Sequence, residues 1–247
     1  MSRTSDIIVV RQSGLRVGVG VARQEWRRNE RSAERSQFFD ISTMWREEQL
    51  QQLESSSSSS SMWIFGYGSL IWNPGFDFSE SRRAHARGWK RRMYQGNTFH
   101  RGDDVMPGRV ATLVESSHAN TSGVVFRVDG GEAIEKAIRH LSEREVGNGY
   151  NFKIVKVSVE SDKDGESMHK SILALTCIAS TSNEFYLGPA HPTDMAVQIG
   201  TARGKAGPNF EYVLKLAEHI RLLFPREEDK HLFGLERRVR DVIKVAA

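Results

Sequence analysis

Seven consecutive serines, residues 55–61, divide this chain. A serine run has no apolar side chain to bury, so it reads as a linker and a domain boundary. A core must then come from residues 62–247, and residues 1–61 are expected to be a disordered extension. The two parts differ in composition. The extension holds nine Arg and no Lys, whereas the remainder holds 16 Arg and 10 Lys. Asp6 to Val21 carries scattered aliphatics. Gln24 to Gln52 is rich in Arg, Glu and Gln, enough for a marginal helix without a firm apolar stripe. The first 24 residues carry four Arg and one acid, which faintly resembles a transit peptide. Acids are frequent from Glu25 onward, which favours the disordered extension. Met62 stands directly after the serines and is a candidate alternative start.

The next stretch, Met62-Trp-Ile-Phe-Gly-Tyr-Gly-Ser-Leu-Ile-Trp72, is the densest signal in the chain. Met62 to Phe65 is apolar, aromatic and β-prone, the pattern of a buried strand. Gly66 and Gly68 bracket Tyr67 and let another molecule approach the main chain. With Ser69 they can form a concavity of backbone N–H groups for a carboxylate or a developing negative charge. The same residues also make a plain tight turn. A nucleotide fingerprint is excluded, because no third glycine stands at the required spacing and no basic residue follows.

The length allows one large domain or two small ones. Mean hydropathy is −0.48, and no apolar run approaches the roughly 18–20 residues that span a bilayer. The net charge is +4, with Lys and Arg interspersed among acids rather than clustered. Neither a membrane nor a nucleic-acid partner is expected. The one cysteine, Cys177, lies in the apolar run Ile172 to Ile178 and reads as a small core residue. A single cysteine suits a reducing compartment, so a cytoplasmic location is expected. The eight His show no H-x-x-x-H, H-x-H or paired Cys/His spacing, so no metal site is expected.

From Met62 onward the pattern is that of a single α+β domain. His85 to Tyr94 mixes Trp89 and Tyr94 with Arg87, Lys90, Arg91 and Arg92, and reads as a strand with one apolar and one solvated basic face. Gly96 to Gly108 is a long polar loop. Val110 to Glu115 and Gly123 to Val128 are short β-type runs. Asn151 to Val159 and Lys170 to Ile178 predict an antiparallel hairpin around a charged loop. Three C-terminal helices are predicted, at 193–202, 210–224 and 227–245, with Val213, Leu214, Leu216, Ala217 and Ile220 inward on the second. The stripe of the third is Leu232, Leu235, Val239, Val242 and Ile243.

Between these lies an earlier helix. Ile134, Ala137, Ile138 and Leu141 form one apolar stripe, and four residues further it reaches Glu145. Gly147-Asn148-Gly149 ends the helix. Glu143 lies about 160° away on the helical wheel and should be solvated. A carboxylate on the buried face, at the negative end of the helix dipole, has its anion disfavoured and its pKa raised. Two roles fit Glu145 equally: a proton-transfer group, or a Glu paired to an Arg.

Several motifs resemble those of the ChaC family, the glutathione-specific γ-glutamylcyclotransferases. Trp63 to Trp72 matches the family's W-V-F-G-Y-G-S-L-I-W. Gln95-Gly96 with His100-Arg101-Gly102, Pro107-Gly108-Arg109-Val110, Arg144-Glu145 before Gly149-Tyr150, Tyr186-Leu187-Gly188-Pro189-Ala190 and His231-Leu232-Phe233-Gly234-Leu235-Glu236 extend the likeness over residues 62–243. Asn97 and Phe99 depart from it, standing where relatives have Ser and Asp.

The resemblance implies a small γ-glutamylcyclotransferase-like β-barrel with flanking and C-terminal helices. It implies a substrate-binding loop at Ile64, Phe65, Gly66, Tyr67, Gly68 and Ser69, and a catalytic acid/base at Glu145. The implied reaction is intramolecular: the α-amine of a γ-glutamyl amide attacks its own γ-carbonyl and closes 5-oxoproline. Glutathione is the implied substrate, Cys-Gly the leaving group, and no cofactor is required. Arg109 and Tyr186 are candidate neighbours of the site, with structural pairing and core packing an equal reading of both. Other functions fit parts of the pattern: cyclotransfer on other γ-glutamyl peptides or amines, a regulatory binding protein in which Glu145 is dispensable, and nucleic-acid binding through residues 85–94. The pattern does not set an oligomeric state.

Overall fold

The computed structural model describes the backbone of residues 7–11 and 14–18, and residues 61–160 and 170–245 in full. The chain divides into two compact units, Met1–Ser58 and Ser59–Ala247. In the first, where the sequence leads one to expect disorder, strands β1 (Ile7–Arg11) and β2 (Gly14–Gly18) pair as an antiparallel hairpin. The marginal helix expected over 24–52 and most of the charged loop before Lys170 lie outside the described residues.

The second unit is built on five strands: β3 (Ser61–Gly66), β4 (Glu80–Asn97), β5 (Gly108–Asp129), β6 (Tyr150–Val159) and β7 (Lys170–Ala179). They close into a barrel in the order β3-β5-β4-β6-β7. All neighbours are antiparallel except the closing pair, where β3 meets β7 in parallel with Ile64 opposite Leu175. Closure leaves no free sheet edge, so backbone groups on every barrel strand find partners on both sides.

The two β-type runs read around Val110 and Gly123 are one strand. β5 runs without a break through the polar residues between them. Residues 116–119 form a bulge opposite Gly88 of β4, because the pairing shifts between Arg87–Asn120 and Trp89–Glu115. A bulge bends and twists a strand, which lets two long strands wrap a small barrel.

Helix α1 (Gly131–Glu145) packs on β3 and β5 and buries Ile134, Ala137 and Leu141. A single 3₁₀ turn, Val146–Asn148, follows it, and Gly149 at φ 83° turns the chain into β6. Helices α2 (Pro192–Thr201), α3 (Asn209–Leu223) and α4 (Lys230–Val245) pack on one another and against β4 and β5. Between α2 and α3, β8 (Arg203–Gly204) and β9 (Gly207–Pro208) make a minimal hairpin. The core joins barrel residues such as Phe65, Met93 and Val125 to Ile199, Leu216, Ile220 and Leu235 of these helices. No described helix is long and apolar enough to cross a membrane.

The basic face expected on β4 is only partly solvated. Arg91 is 2 % exposed. Its guanidinium donates to the Ser122 carbonyl and stands 3.4 Å from Asp229, in the connection between α3 and α4. A buried cation with a carboxylate partner ties the barrel to the helical layer, and it is not on offer to a polyanion.

Leu141 is fully buried beneath α1, on the stripe that leads to Glu145. Leu141→Ala is expected to lower unfolding free energy by about 2–5 kcal/mol. Urea denaturation followed by circular dichroism reads the change.

Candidate active site

β3 leaves the barrel at Gly66 and runs directly into Tyr67, Gly68 and a single 3₁₀ turn, Ser69–Ile71. The turn uses the N–H groups of Ile71, Trp72 and Asn73 for its own bonds. Among the described residues, the N–H groups of Gly68, Ser69 and Leu70 have no backbone acceptor. They lie where the loop lines a small cavity of about 40 Å³, together with Tyr67, Ala111, Glu145, Tyr150, Thr176, Cys177 and Tyr212. A larger open groove of about 690 Å³ lies at the start of α1. Its lining includes Ala137 but neither Glu145 nor any residue from Ile64 to Ser69, and the small cavity is the chemically equipped one.

Glu145 is the last residue of α1, and its side chain retains 16 % of its exposure. Glu143 on the other face is exposed, as the wheel predicts. Burial raises the Glu145 carboxyl above the ordinary glutamate value, and the neighbouring Arg144 opposes this without cancelling it. Of the two roles open to Glu145, pairing to an Arg is the one observed: Arg144 Nε lies 3.0 Å from Glu145 Oε1.

Phenols make up much of the remaining wall. The Tyr67 hydroxyl donates to the Cys177 carbonyl at 2.5 Å. The Tyr150 hydroxyl donates to the Ala111 carbonyl at 2.6 Å, and the Ala111 N–H donates to the Tyr212 oxygen at 3.2 Å. Tyr212 thus accepts from the barrel wall, and its own proton remains available to the cavity. Desolvation is the main cause that raises all three phenols, Tyr212 to about 12. They are neutral donors across the physiological range. Tyr212 also explains Gly68: a Cβ there would stand 2.8 Å from the Tyr212 oxygen. The glycine is needed for close approach, since its φ is −126°.

Tyr67, Gly68, Ser69 and Glu145 therefore meet at one cavity. Ile64, Phe65 and Gly66 precede it on β3; Ile64 and Phe65 are wholly buried, and the Phe65 carbonyl accepts from Thr176 Oγ1 at 2.8 Å. Arg109 spends its guanidinium on Gln198 Oε1 and on the carbonyls of Met93 and Gly188. Tyr186 packs edge-on against Tyr94. The structural reading of both residues is the one observed. Among the described residues, no cluster of His, Cys, Asp or Glu could hold a metal ion.

The other motifs build the surroundings. Asn97 Oδ1 accepts from the N–H groups of His100 and Arg101, both at 2.7 Å, and so shapes the loop between β4 and β5. That loop comes near the site: partial burial first, then the charges of Arg144, Arg101 and Lys205, hold His100 below the ordinary histidine value. Gln95 is fully buried and bonds the Asn148 carbonyl and Asn183. His231 accepts from the Met93 N–H, and burial first, with Arg92 next, pushes its pKa down to about 4, so it serves as a neutral acceptor.

A model for the family described as ChaC-like protein matches residues 62–242. The chain belongs to the ChaC-like family. Glutathione-specific gamma-glutamylcyclotransferase 1 of Danio rerio is 43 % identical over 178 residues, 72 % of this chain and 88 % of that protein. The Homo sapiens protein of the same name is 44 % identical over 175 residues, 70 % of this chain and 76 % of the relative. A solved γ-glutamylcyclotransferase specific to glutathione, from yeast, superposes with a TM-score of 0.67. It is 27 % identical and covers 74 % of this chain and 97 % of its own. The ChaC-like match begins at Met62, where β3 begins to carry apolar side chains.

Sequence reasoning missed Tyr150, Thr176 and Tyr212. Tyr212 had a signal, since 212, 213, 216, 217 and 220 form a better helical stripe than one that includes Leu214, which is half-buried. Cys177 is buried, and desolvation first, then the Glu145 charge, push its thiol well above the ordinary value. At neutral pH the native protein should react with a thiol-specific disulfide reagent far more slowly than the denatured chain does. Absorbance of the released thiolate follows both reactions.

Proposed function

We propose that this domain cleaves glutathione to 5-oxoproline and Cys-Gly. The supporting observation is the single cavity that Glu145 shares with Tyr67, Gly68 and Ser69, in a ChaC-like chain whose relatives include proteins named for this activity. A cavity of about 40 Å³ takes the reacting end of the substrate, and the rest of the tripeptide extends outside it. Arg101 and Lys205, near His100, suit the carboxylate of that outer part.

The chemistry needs no enzyme nucleophile. The substrate's α-amine attacks its own γ-carbonyl. A ring C–N bond forms, the original amide C–N bond breaks, and Cys-Gly departs with its nitrogen protonated. Glu145 takes one proton from the α-ammonium and returns it to the leaving nitrogen; the ring nitrogen sheds its second proton as the lactam forms, and the released amine of Cys-Gly takes one up from solvent. Its raised pKa brings carboxylate and carboxylic acid closer in energy, as a shuttle needs. The N–H groups of Gly68 to Leu70 and the Tyr212 hydroxyl are suited to the substrate carboxylate or the developing oxyanion. Holding amine and carbonyl together supplies proximity worth several kcal/mol. The neutral, buried Cys177 suits a bystander in a reducing, cytoplasmic setting.

Glu145→Gln keeps shape and loses basicity. It should fold normally and release no 5-oxoproline from reduced glutathione; near-normal turnover would reject the role.

Gly68→Ala must displace Tyr212. It is expected to cost about 1–3 kcal/mol of stability while weakening substrate binding more severely. Thermal unfolding beside steady-state kinetics separates the two effects, and a folded variant with unchanged KM would count against the loop as a substrate clamp.

A further inference from the structure

One side chain joins the two halves of the site, and the reaction scheme gives it no role. Arg144 precedes Glu145 on the last turn of α1. Its Nε lies 3.0 Å from Glu145 Oε1. One terminal nitrogen donates to Ser69 Oγ at 2.7 Å, and the other donates to the Asn73 carbonyl at 2.7 Å. The three guanidinium nitrogens thus reach the carboxylate, the hydroxyl of the Gly-Tyr-Gly-Ser loop and the chain just past that loop. Its own carbonyl accepts from Asn148 Nδ2 at 2.7 Å, which fixes the turn behind it. A planar fork fixes distance and angle together, and an ammonium does not. Every nitrogen already has a protein acceptor, so the group is not laid out to bind substrate.

We propose that Arg144 is a positioning residue that locks the Glu145 carboxylate in register with the Tyr67–Ser69 loop. This rests on the cyclotransferase reading above. Glu145 must meet an ammonium and then a departing nitrogen within one turnover. A carboxylate free to rotate out of the cavity would lose that geometry without any loss of fold.

The guanidinium has a second effect. The groups facing Glu145 are Tyr67 from the loop, Tyr150 on β6, Cys177 on β7, Tyr212 on α3 and Arg144 on α1. Four of these are neutral and buried, and Arg144 is the cation. Burial raises the Glu145 pKa and Arg144 lowers it. Removal of Arg144 therefore moves the pKa further up. The limb of activity that appears as Glu145 ionises then shifts to higher pH.

The test compares wild type, Glu145→Gln, Arg144→Met and Arg144→Lys for 5-oxoproline release from reduced glutathione across pH, with thermal unfolding of each. Arg144→Met is expected to lose about a hundredfold in kcat with a much smaller change in KM. Its acid limb should move to higher pH. Arg144→Lys, which keeps the charge and loses the fork, should restore most of the pH limb and only part of kcat. A folded Arg144→Met with kcat within about twofold of wild type and an unmoved limb overturns the proposal. So does a loss confined to KM. If Arg144→Met does not fold, Arg144→Lys decides, and wild-type kcat in that variant overturns the fork's role. Wild type that releases no 5-oxoproline, or an active Glu145→Gln, sinks the cyclotransferase reading instead.

Discussion

The site depends on how the barrel closes. β3 is the strand that seals it, antiparallel to β5 on one side and parallel to β7 on the other through Ile64 and Leu175. β3 has no residues to spare: six residues after it begins, the chain becomes the Gly-Tyr-Gly-Ser loop. Closure therefore fixes the loop at the mouth of the barrel, beside Thr176 and Cys177 of β7. A slip of one residue in that pairing would turn Ile64 and Phe65 to opposite faces and carry Tyr67 away from the Cys177 carbonyl.

Once the loop is fixed, the remaining groups reach it from three directions. α1 delivers Glu145 at its C-terminal end, β6 delivers Tyr150 just after the left-handed Gly149, and α3 delivers Tyr212 from the helical layer. The phenols are held by Ala111 and Cys177 main-chain groups, which belong to the barrel wall. The result is a small polar cavity walled by buried groups, in which electrostatic effects are stronger than at a surface. A carboxylate there takes its proton affinity from a few neighbours rather than from solvent.

Parts of this were legible in the sequence because they obey a local period. The α1 stripe pointed Glu145 inward, the β-prone run ending in Gly-x-Gly-Ser marked the loop, and the hairpin of β6 and β7 showed in its alternation. Other parts have no local signature. The polar residues 116–119 separate two apolar runs, so a bulged strand looks like two strands and a loop. Arg91 sits among solvated basic residues on β4 and is buried only because α4 and the connection before it cover that face. Tyr150 and Tyr212 join the site through contacts across 39 and 101 residues, a separation no window can see.

The same distinction bears on how the shared motifs should be understood. Several of those that carry the family likeness contribute no group to the cavity. His231 is a neutral acceptor for the Met93 N–H, Arg109 stitches β5 to α2 and to the Gly188 turn, and Gln95 joins β4 to the turn after α1. Each is a buried or half-buried polar group whose partners are main-chain atoms or fixed amides, and loss of either side would strand the other without a hydrogen bond. Such groups tolerate little change whether or not they take part in catalysis. Burial with every partner inside the protein marks a scaffold residue, and burial with one face open to a cavity marks a candidate for chemistry. By that criterion Glu145, and Tyr212 from outside the shared motifs, stand apart from His231, Arg109 and Gln95.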